Sequence, residues 1–211
     1  MNEAPQSALQ LMPAIQAIAQ AREAHSPQAV FVSTMSAQFA LDMLGVKHRR
    51  VDSVPLMGGA SGIGLGIALS RPDVPVIVLD GDASLLMELG SLATVGHHRP
   101  RRYLHVLNRN GVQFNGLVNL PAVSAAPEAD FVGMARAAGY SHARRIADQA
   151  ELEQALPELL AQEGPSFVEL VVRAEAPRSG PEAPQGLLPD LQFARMGLGV
   201  RQLRAELAAG Q

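Results

Sequence analysis

One stretch of the chain decides the fold: VPVIVLDGDASLLMELG, residues 74–90. Its first part, Val74–Leu79, is apolar on both faces and rich in β-branched residues, which is typical of a strand buried in a parallel sheet. A turn at Asp80-Gly81 follows, and beyond it apolar residues recur every three to four positions, as on a helix that packs on one face. The stretch therefore predicts a strand, a tight turn and a helix of an α/β sheet.

The same alternation recurs along the chain. Short apolar runs predict further strands at 29–34, 103–107 and 166–172, and apolar residues at helical spacing predict helices at 8–24, 36–44, 60–69, 84–95, 129–138 and 149–162. The expected fold is α/β: a three-layer, doubly wound and mainly parallel sheet with helices on both faces. Such sheets bind ligands at the carboxyl ends of their strands, so the loops after Leu79 and Leu107 are the expected place for chemistry.

Length and composition favour one domain. The chain has 211 residues, of which 47% are hydrophobic and 18% charged, enough for a single well-buried core. We place this domain at residues 1–175. Residues 176–188 are rich in proline and glycine, so 176–211 is expected to be a tail, able to dock on another chain, that closes with a short helix at 200–208.

Charge and cysteine usage exclude several classes of function. The chain has no cysteine, a net charge of −3 and no long apolar run, so disulfides, a membrane span and a secretory signal are not expected. A weakly acidic chain without a lysine or arginine block does not attract nucleic acid or anionic lipid. The expectation is a cytoplasmic protein with neither nucleic acid nor a membrane as partner.

Two short motifs carry the chemistry. Gly81-Asp82-Ala83-Ser84 follows one predicted strand, and Asn108-Arg109-Asn110 follows the next, with Asn108 twenty-six positions after Asp82. A glycine turn into a helix exposes main-chain N–H groups that can bind phosphate oxygens. A carboxylate beside them suits a hard cation such as Mg²⁺, and an amide oxygen from the neighbouring strand end can complete the shell.

These motifs resemble the signature of thiamine-diphosphate-dependent enzymes, Gly-Asp-Gly followed some twenty-five residues later by Asn-Asn. From about residue 29 to 172 the chain is similar to the C-terminal half of phosphonopyruvate decarboxylase and to the β subunit of sulfopyruvate decarboxylase. Matches include Ser33-Thr34, Met57-Gly58 and the segment 65–73. The resemblance implies the thiamine-diphosphate-binding fold and a site for the cofactor diphosphate.

The resemblance also implies roles for individual residues. The expected cofactor-binding residues are Pro55, Met57, Gly58, Gly81, Asp82, Ala83, Ser84, Asn108 and Arg109, with Asp82 and Asn110 as metal ligands. The residue matching Met57 props the cofactor in a bent shape, and the carbonyl of Pro55 accepts a hydrogen bond from the aminopyrimidine ring. Met57 as a simple core residue is the alternative, because methionine fills irregular gaps anywhere.

Two positions depart from the family pattern. Ala83 replaces the last glycine of the motif, which is tolerable in the first turn of a helix. Arg109 replaces the asparagine that ligates the metal, and a guanidinium cannot do so. Three alternatives stay open: Asn110 moves into the ligand position with Val112 offering a carbonyl, Arg109 pairs with the diphosphate and partly replaces Mg²⁺, or the site has lost its cofactor.

The function that the resemblance implies is decarboxylation of a small anionic 2-oxo acid, such as phosphonopyruvate or sulfopyruvate. In this family the catalytic glutamate belongs to a pyrimidine-binding domain, which this sequence does not contain. We therefore expect that glutamate on a partner chain of a hetero-oligomer, so the catalytic residues of this chain stay unknown. The alternative is a non-catalytic or regulatory subunit with a degenerate metal site at Arg109.

Overall fold

A computed structural model describes residues 8–54, 56–115, 118–121, 129–175 and 189–209. Six parallel strands form its central sheet, in the spatial order β2-β1-β3-β4-β8-β7. Their bounds are β1 Val30–Ser33, β2 Arg50–Asp52, β3 Val76–Gly81, β4 Arg102–Arg109, β7 His142–Ile146 and β8 Gly164–Val171. An antiparallel hairpin, β5 Val112–Asn115 and β6 Val118–Pro121, follows β4.

Helices cover both faces of this sheet. Their bounds are α1 Leu11–His25, α2 Met35–Met43, α3 Gly59–Ser70, α4 Asp82–Met87, α5 Ser91–His98, α6 Phe131–Ala138, α7 Gln149–Ala161 and α8 Pro189–Ala209. Helices α1, α2 and α7 share one hydrophobic core with the sheet, and α3, α5 and α6 share the other. The predicted three-layer, doubly wound α/β fold is confirmed.

Strand register brings the two predicted motifs together. In the pairing of β3 with β4, Gly81 lies opposite Asn108. On the other side of β3, Leu79 lies opposite Ser33 at the end of β1. Because all three strands run in the same direction, the loops that follow them meet at one edge of the sheet.

Two strands that carry charged residues were not predicted from the sequence. Strand β2 has the sequence RVD and β7 the sequence HARRI, and apolar alternation does not predict either as a strand. In the structure Arg50 and Asp52 are both buried and pair with each other, with 2.7 Å between Nε and Oδ1. The charges are thus satisfied within the fold, which a pattern of hydrophobicity cannot reveal.

Two predicted helices need correction. The helix expected at 84–95 is two helices, because α4 ends at Met87 and α5 begins only at Ser91. The short helix expected at 200–208 begins at Pro189 and has 21 residues. It packs beside β2 of its own chain, where Leu203 is buried and Arg71 donates to the Leu207 carbonyl at 2.7 Å.

No helix of the described residues is long and apolar enough to cross a membrane.

Alanine substitution at two glycines tests the close packing of α5 against α6. A Cβ added at Gly96 would lie 1.8 Å from the Ala138 carbonyl oxygen, whereas one added at Gly66 on the exposed side of α3 meets nothing within 4 Å. We expect Gly96→Ala to lower the free energy of unfolding by about 3 kcal/mol or more, because main chain must move. Gly66→Ala should raise it by about 0.4–1 kcal/mol, since alanine costs less entropy in a helix.

Denaturant unfolding of the two variants measures both changes. Equal stability of Gly96→Ala and the wild type would contradict the described contact between α5 and α6.

Candidate functional site

A crevice opens at the carboxyl ends of β1, β3 and β4. The residues that line it come from the loops after these strands and from the loop before α3, and they are Met35, Ser36, Phe39, Met57, Gly81, Asp82, Ala83, Ser84, Asn108, Asn110, Val112 and Gln113. Most of the predicted cofactor-binding residues are among them. The topology explains this, because the chain leaves β1 and β3 toward opposite sides and opens a cleft between them.

Asp82 is the central charged group of the crevice. It is 4% exposed and begins α4. Its Oδ1 accepts a hydrogen bond from the Ala83 N–H at 2.9 Å, and its Oδ2 accepts one from the Gly111 N–H at 2.7 Å. The carboxylate thereby connects the turn after β3 with the loop after β4.

Burial gives this carboxylate an unusual proton affinity. Desolvation raises the pKa of Asp82, although the N–H groups of Gly111 and Ala83 and the charge of Arg109 act in the opposite direction. The ionised form of Asp82 is therefore costly in the unliganded protein. A cation bound at the carboxylate would remove that cost.

Asn108 offers a second oxygen beside Asp82. Its Nδ2 donates to the Asp80 carbonyl at 2.9 Å, which fixes the orientation of the amide. The residue is 3% exposed, and its Oδ1 has no hydrogen-bond partner among the described residues. A buried amide oxygen in a crevice is costly unless a donor or a cation occupies the crevice.

Arg109 points to the other face of the sheet. Its guanidinium donates from Nη1 to Oε1 of Glu169 at 2.7 Å and lies 5.7 Å from the centre of the Phe131 ring. Glu169 is fully buried on β8 and also pairs with Arg145, whose Nε is 3.1 Å from Oε1. Because successive strand residues face opposite sides, the side chains of Arg109 and Asn108 leave β4 toward opposite faces of the sheet.

Asn110 lies just beyond β4 and returns to the crevice. Its Oδ1 accepts a hydrogen bond from the Val112 N–H at 3.0 Å, and Gly111 between them has a φ of +71°. Positive φ is readily available to glycine, so the chain can turn sharply here. This turn places both Asn110 and the Gly111 N–H next to Asp82.

The loop before α3 brings Gly58 against α4 and Met57 to the crevice. Gly58 has a φ of +86°, and its N–H donates to Ser84 Oγ at 2.8 Å. A Cβ at Gly58 would lie 2.4 Å from Glu88 Cγ, so the loop and α4 are packed too closely for a side chain there. Met57 lines the crevice, and Pro55 lies outside the described residues.

The N-terminal part of α2 was missed as a wall of the crevice. Met35, Ser36 and Phe39 line it, and Met35 has a φ of +49°, which is unusual for a residue with a side chain. The signal available in the sequence was Ser33-Thr34 at the end of a strand. Only the strand order tells that β1 lies beside β3.

The side chains available as metal ligands limit how a cation could bind in the crevice. Among the described ranges no group of three or more His, Cys, Asp or Glu side chains is placed to hold a metal ion. A cation at Asp82 would need amide or main-chain oxygens in addition, as Mg²⁺ readily accepts. The unpartnered Asn108 Oδ1 and the neighbouring Asn110 fit that requirement.

Comparison with known sequences identifies the family. Residues 33–170 match the family described as thiamine pyrophosphate enzyme, C-terminal TPP binding domain. The phosphonopyruvate decarboxylase of Streptomyces viridochromogenes is 37% identical over 153 residues, which are 69% of this chain and 36% of that protein. The sulfopyruvate decarboxylase subunit beta of Methanothermobacter thermautotrophicus is 38% identical over 117 residues, 56% of this chain and 58% of that subunit.

Comparison with solved structures supports the same fold. The benzoylformate decarboxylase of Polynucleobacter necessarius superposes with a TM-score of 0.64 at 18% identity, over 85% of this chain and 36% of that one. The chain thus spans about a third of the length of the phosphonopyruvate decarboxylases that it matches. The chain belongs to the thiamine pyrophosphate enzymes, through their C-terminal TPP-binding domain.

Proposed function

We propose that this chain is one subunit of a thiamine-diphosphate-dependent 2-oxoacid decarboxylase. The observation that carries the proposal is the meeting of Asp82 and the unpartnered Asn108 Oδ1 in one strand-end crevice of a chain from this family. When bound, thiamine diphosphate supplies the carbanion-stabilising group that a 2-oxo acid needs to lose CO₂. The part of this chain is to bind and orient the cofactor.

The cofactor diphosphate would lie along the turn after β3. The proposed contacts are those expected from the sequence: Pro55, Met57, Gly58, Gly81, Asp82, Ala83, Ser84, Asn108 and Arg109. The open space at Gly81, where an added Cβ meets nothing within 4 Å, and the depth of Asp82 both suit a bulky anion bound through a cation. We assign this role to the domain at 1–175, with 176–211 as its C-terminal extension.

Asn110 is the better candidate for the second metal ligand. It lines the crevice beside Asp82, whereas Arg109 pairs with Glu169 on the opposite face of the sheet. Mg²⁺ held by Asp82 and Asn110 therefore fits the described geometry better than replacement of the metal by the Arg109 guanidinium. Arg109 as a direct partner of the diphosphate stays a prediction.

The substrate and partner follow by analogy with the relatives. Phosphonopyruvate decarboxylases and sulfopyruvate decarboxylase β subunits favour a small anionic 2-oxo acid as substrate. A subunit named beta implies another subunit in that enzyme. We propose a partner chain that carries the pyrimidine-binding half and the catalytic glutamate, in a cytoplasmic hetero-oligomer.

A second candidate function rests on the departure at Arg109. A chain that keeps the fold but has lost a metal-ligating asparagine could serve as a non-catalytic or regulatory subunit. Cofactor binding by this chain distinguishes the two functions, because the regulatory subunit would bind none.

Replacing Asp82 tests the proposed cofactor site. Because burial raises its pKa, Asp82 binds protons more readily in the fold than in the unfolded chain. The unliganded protein should therefore lose stability as the pH rises past the ordinary carboxyl range, and Asp82→Asn should remove this loss. Thiamine diphosphate with Mg²⁺ at about 100 times its Kd should stabilise the wild type by about 2.7 kcal/mol, and the variant not at all.

Thermal unfolding over a range of pH, with and without the ligands, measures both effects. Asp73→Asn serves as the control, because Asp73 is exposed and far from the crevice. If thiamine diphosphate with Mg²⁺ stabilised Asp82→Asn as strongly as Asp73→Asn, the proposed cofactor site would be wrong.

Removal of the metal tests the assignment of Asn110. We expect EDTA, or the substitution Asn110→Ala, to weaken thiamine diphosphate binding at least about tenfold, because the phosphates lose their bridging cation. Arg109→Ala should keep the dependence on Mg²⁺. Calorimetric titration of each variant gives the affinities, and indifference of the wild type to EDTA would favour Arg109 as the replacement for the cation.

Reconstitution tests the need for a partner. The purified chain should release no CO₂ from 3-phosphonopyruvate or 3-sulfopyruvate in the presence of thiamine diphosphate and Mg²⁺. Activity should appear when a chain with the pyrimidine-binding half is added. Decarboxylation by this chain alone, measured as CO₂ release, would rule out the proposed division of the active site.

A further inference from the structure

A chain of hydrogen bonds links the C-terminal helix to the crevice. Helix α8 lies outside residues 33–170, which carry the family match. Its Arg195 donates from Nε and Nη2 to Oδ2 of Asp52, at 2.9 and 2.7 Å. Asp52 is 7% exposed at the end of β2, so this contact reaches the interior of the domain.

The same carboxylate holds the end of β1. Its Oδ1 accepts hydrogen bonds from Ser33 Oγ at 2.5 Å and from Arg50 Nε at 2.7 Å. Ser33 is fully buried and is the last residue of β1. Arg50 in turn donates from Nη2 to the Gln38 carbonyl of α2 at 2.9 Å. Asp52 thus fixes both the strand before the β1–α2 loop and the helix after it.

The N-terminal part of α2 forms one wall of the crevice. Met35, Ser36 and Phe39 line it, and Met35 takes a φ of +49° at the start of α2. A residue with a side chain keeps such a conformation only where its surroundings force it. The hydrogen bonds of Ser33, Thr34 and Gln38 with β2 and its neighbours are the surroundings available here.

We propose that Arg195 is a positioning residue for the cofactor site, acting through Asp52 and Ser33 on the β1–α2 wall of the crevice. Oδ2 of Asp52 has Arg195 as its hydrogen-bond donor, and without that donor a buried carboxylate oxygen is left unpaired. Asp52 keeps its pair with Arg50 through Oδ1. The carboxylate would still turn toward solvent and loosen its contact with Ser33, because a buried oxygen without a donor is costly. The inference rests on the proposed binding of thiamine diphosphate in this crevice.

Arg195 also anchors α8 independently of Asp52. Its Nη1 and Nη2 donate to the two carboxylate oxygens of Asp42 at 2.8 and 2.7 Å, and the contacts with Asp42 and Asp52 raise its pKa. Asp42 lies near the end of α2. One guanidinium therefore connects α8 to both α2 and β2, as the fork of donors on arginine allows and a lysine does not.

The test compares Arg195→Leu with Arg201→Leu in the full-length chain. Arg201 is an exposed arginine of the same helix with no hydrogen bond or ion pair among the described residues. We expect Arg195→Leu to weaken binding of thiamine diphosphate with Mg²⁺ about tenfold, a size usual for coupling between sites. Hydrogen exchange of the amides at 34–40 should become faster, while that of β8 stays unchanged. Arg195→Lys should give an intermediate result.

Ser33→Ala removes the hydrogen bond between β1 and Asp52 and leaves the docking of α8 intact. This variant keeps the contacts of Arg195 with both carboxylates, so α8 should exchange as in the wild type. Residues 34–40 should still exchange faster, and cofactor affinity should fall as in Arg195→Leu. This second variant also decides the question if Arg195→Leu fails to fold.

This design distinguishes failure of the proposed function from failure of the positioning role. A wild-type chain that binds no thiamine diphosphate would overturn the proposed function, and hydrogen exchange at 34–40 would still decide whether Arg195 holds the N-terminal part of α2. A wild type that binds the cofactor, with Arg195→Leu and Ser33→Ala equal to Arg201→Leu in affinity and exchange, would overturn the positioning role alone.

Discussion

The site depends on the register between β3 and β4. With Gly81 opposite Asn108, the turn after one strand and the loop after the other meet, and the Asp82 carboxylate joins them through the N–H groups of Ala83 and Gly111. A shift of one residue in this pairing would turn Asn108 to the opposite face and separate the two loops. The apolar core residues on both faces of β3 and β4 fix the register, so the packing of the sheet places the polar groups of the crevice.

Buried carboxylates recur at this edge of the sheet. Glu169 pairs with Arg109 and Arg145, and Asp52 pairs with Arg50 and Arg195. Buried ion pairs add little net stability, because desolvation cancels most of their attraction, but loss of one partner is expensive. Such pairs therefore fix geometry more than they stabilise the fold, and here they surround the loops that line the crevice.

The departure from the family pattern at Arg109 has a structural explanation. The guanidinium lies over Phe131 and pairs with Glu169 on the face of the sheet away from Asn108. One residue further, the left-handed turn at Gly111 brings Asn110 back to the crevice. Asn110 therefore lies in the crevice with Asp82, while Arg109 lies on the other face of the sheet.

The sequence by itself determined the architecture and the place where the crevice opens. Apolar runs predicted β1, β3, β4 and β8, and the glycine and acidic residues after β3 predicted where the crevice opens, because hydrophobic periodicity and turn chemistry are local properties. Only the tertiary structure decided that the charged segments at β2 and β7 are strands, that Met35 and Ser36 line the crevice, and that α8 reaches Asp52. In β2, Asp52 is buried because Arg50 and Arg195 neutralise it, and Arg195 lies 143 residues further along the chain. In β7, an edge strand, the charged side chains stay partly exposed. No local pattern of hydrophobicity reports either arrangement.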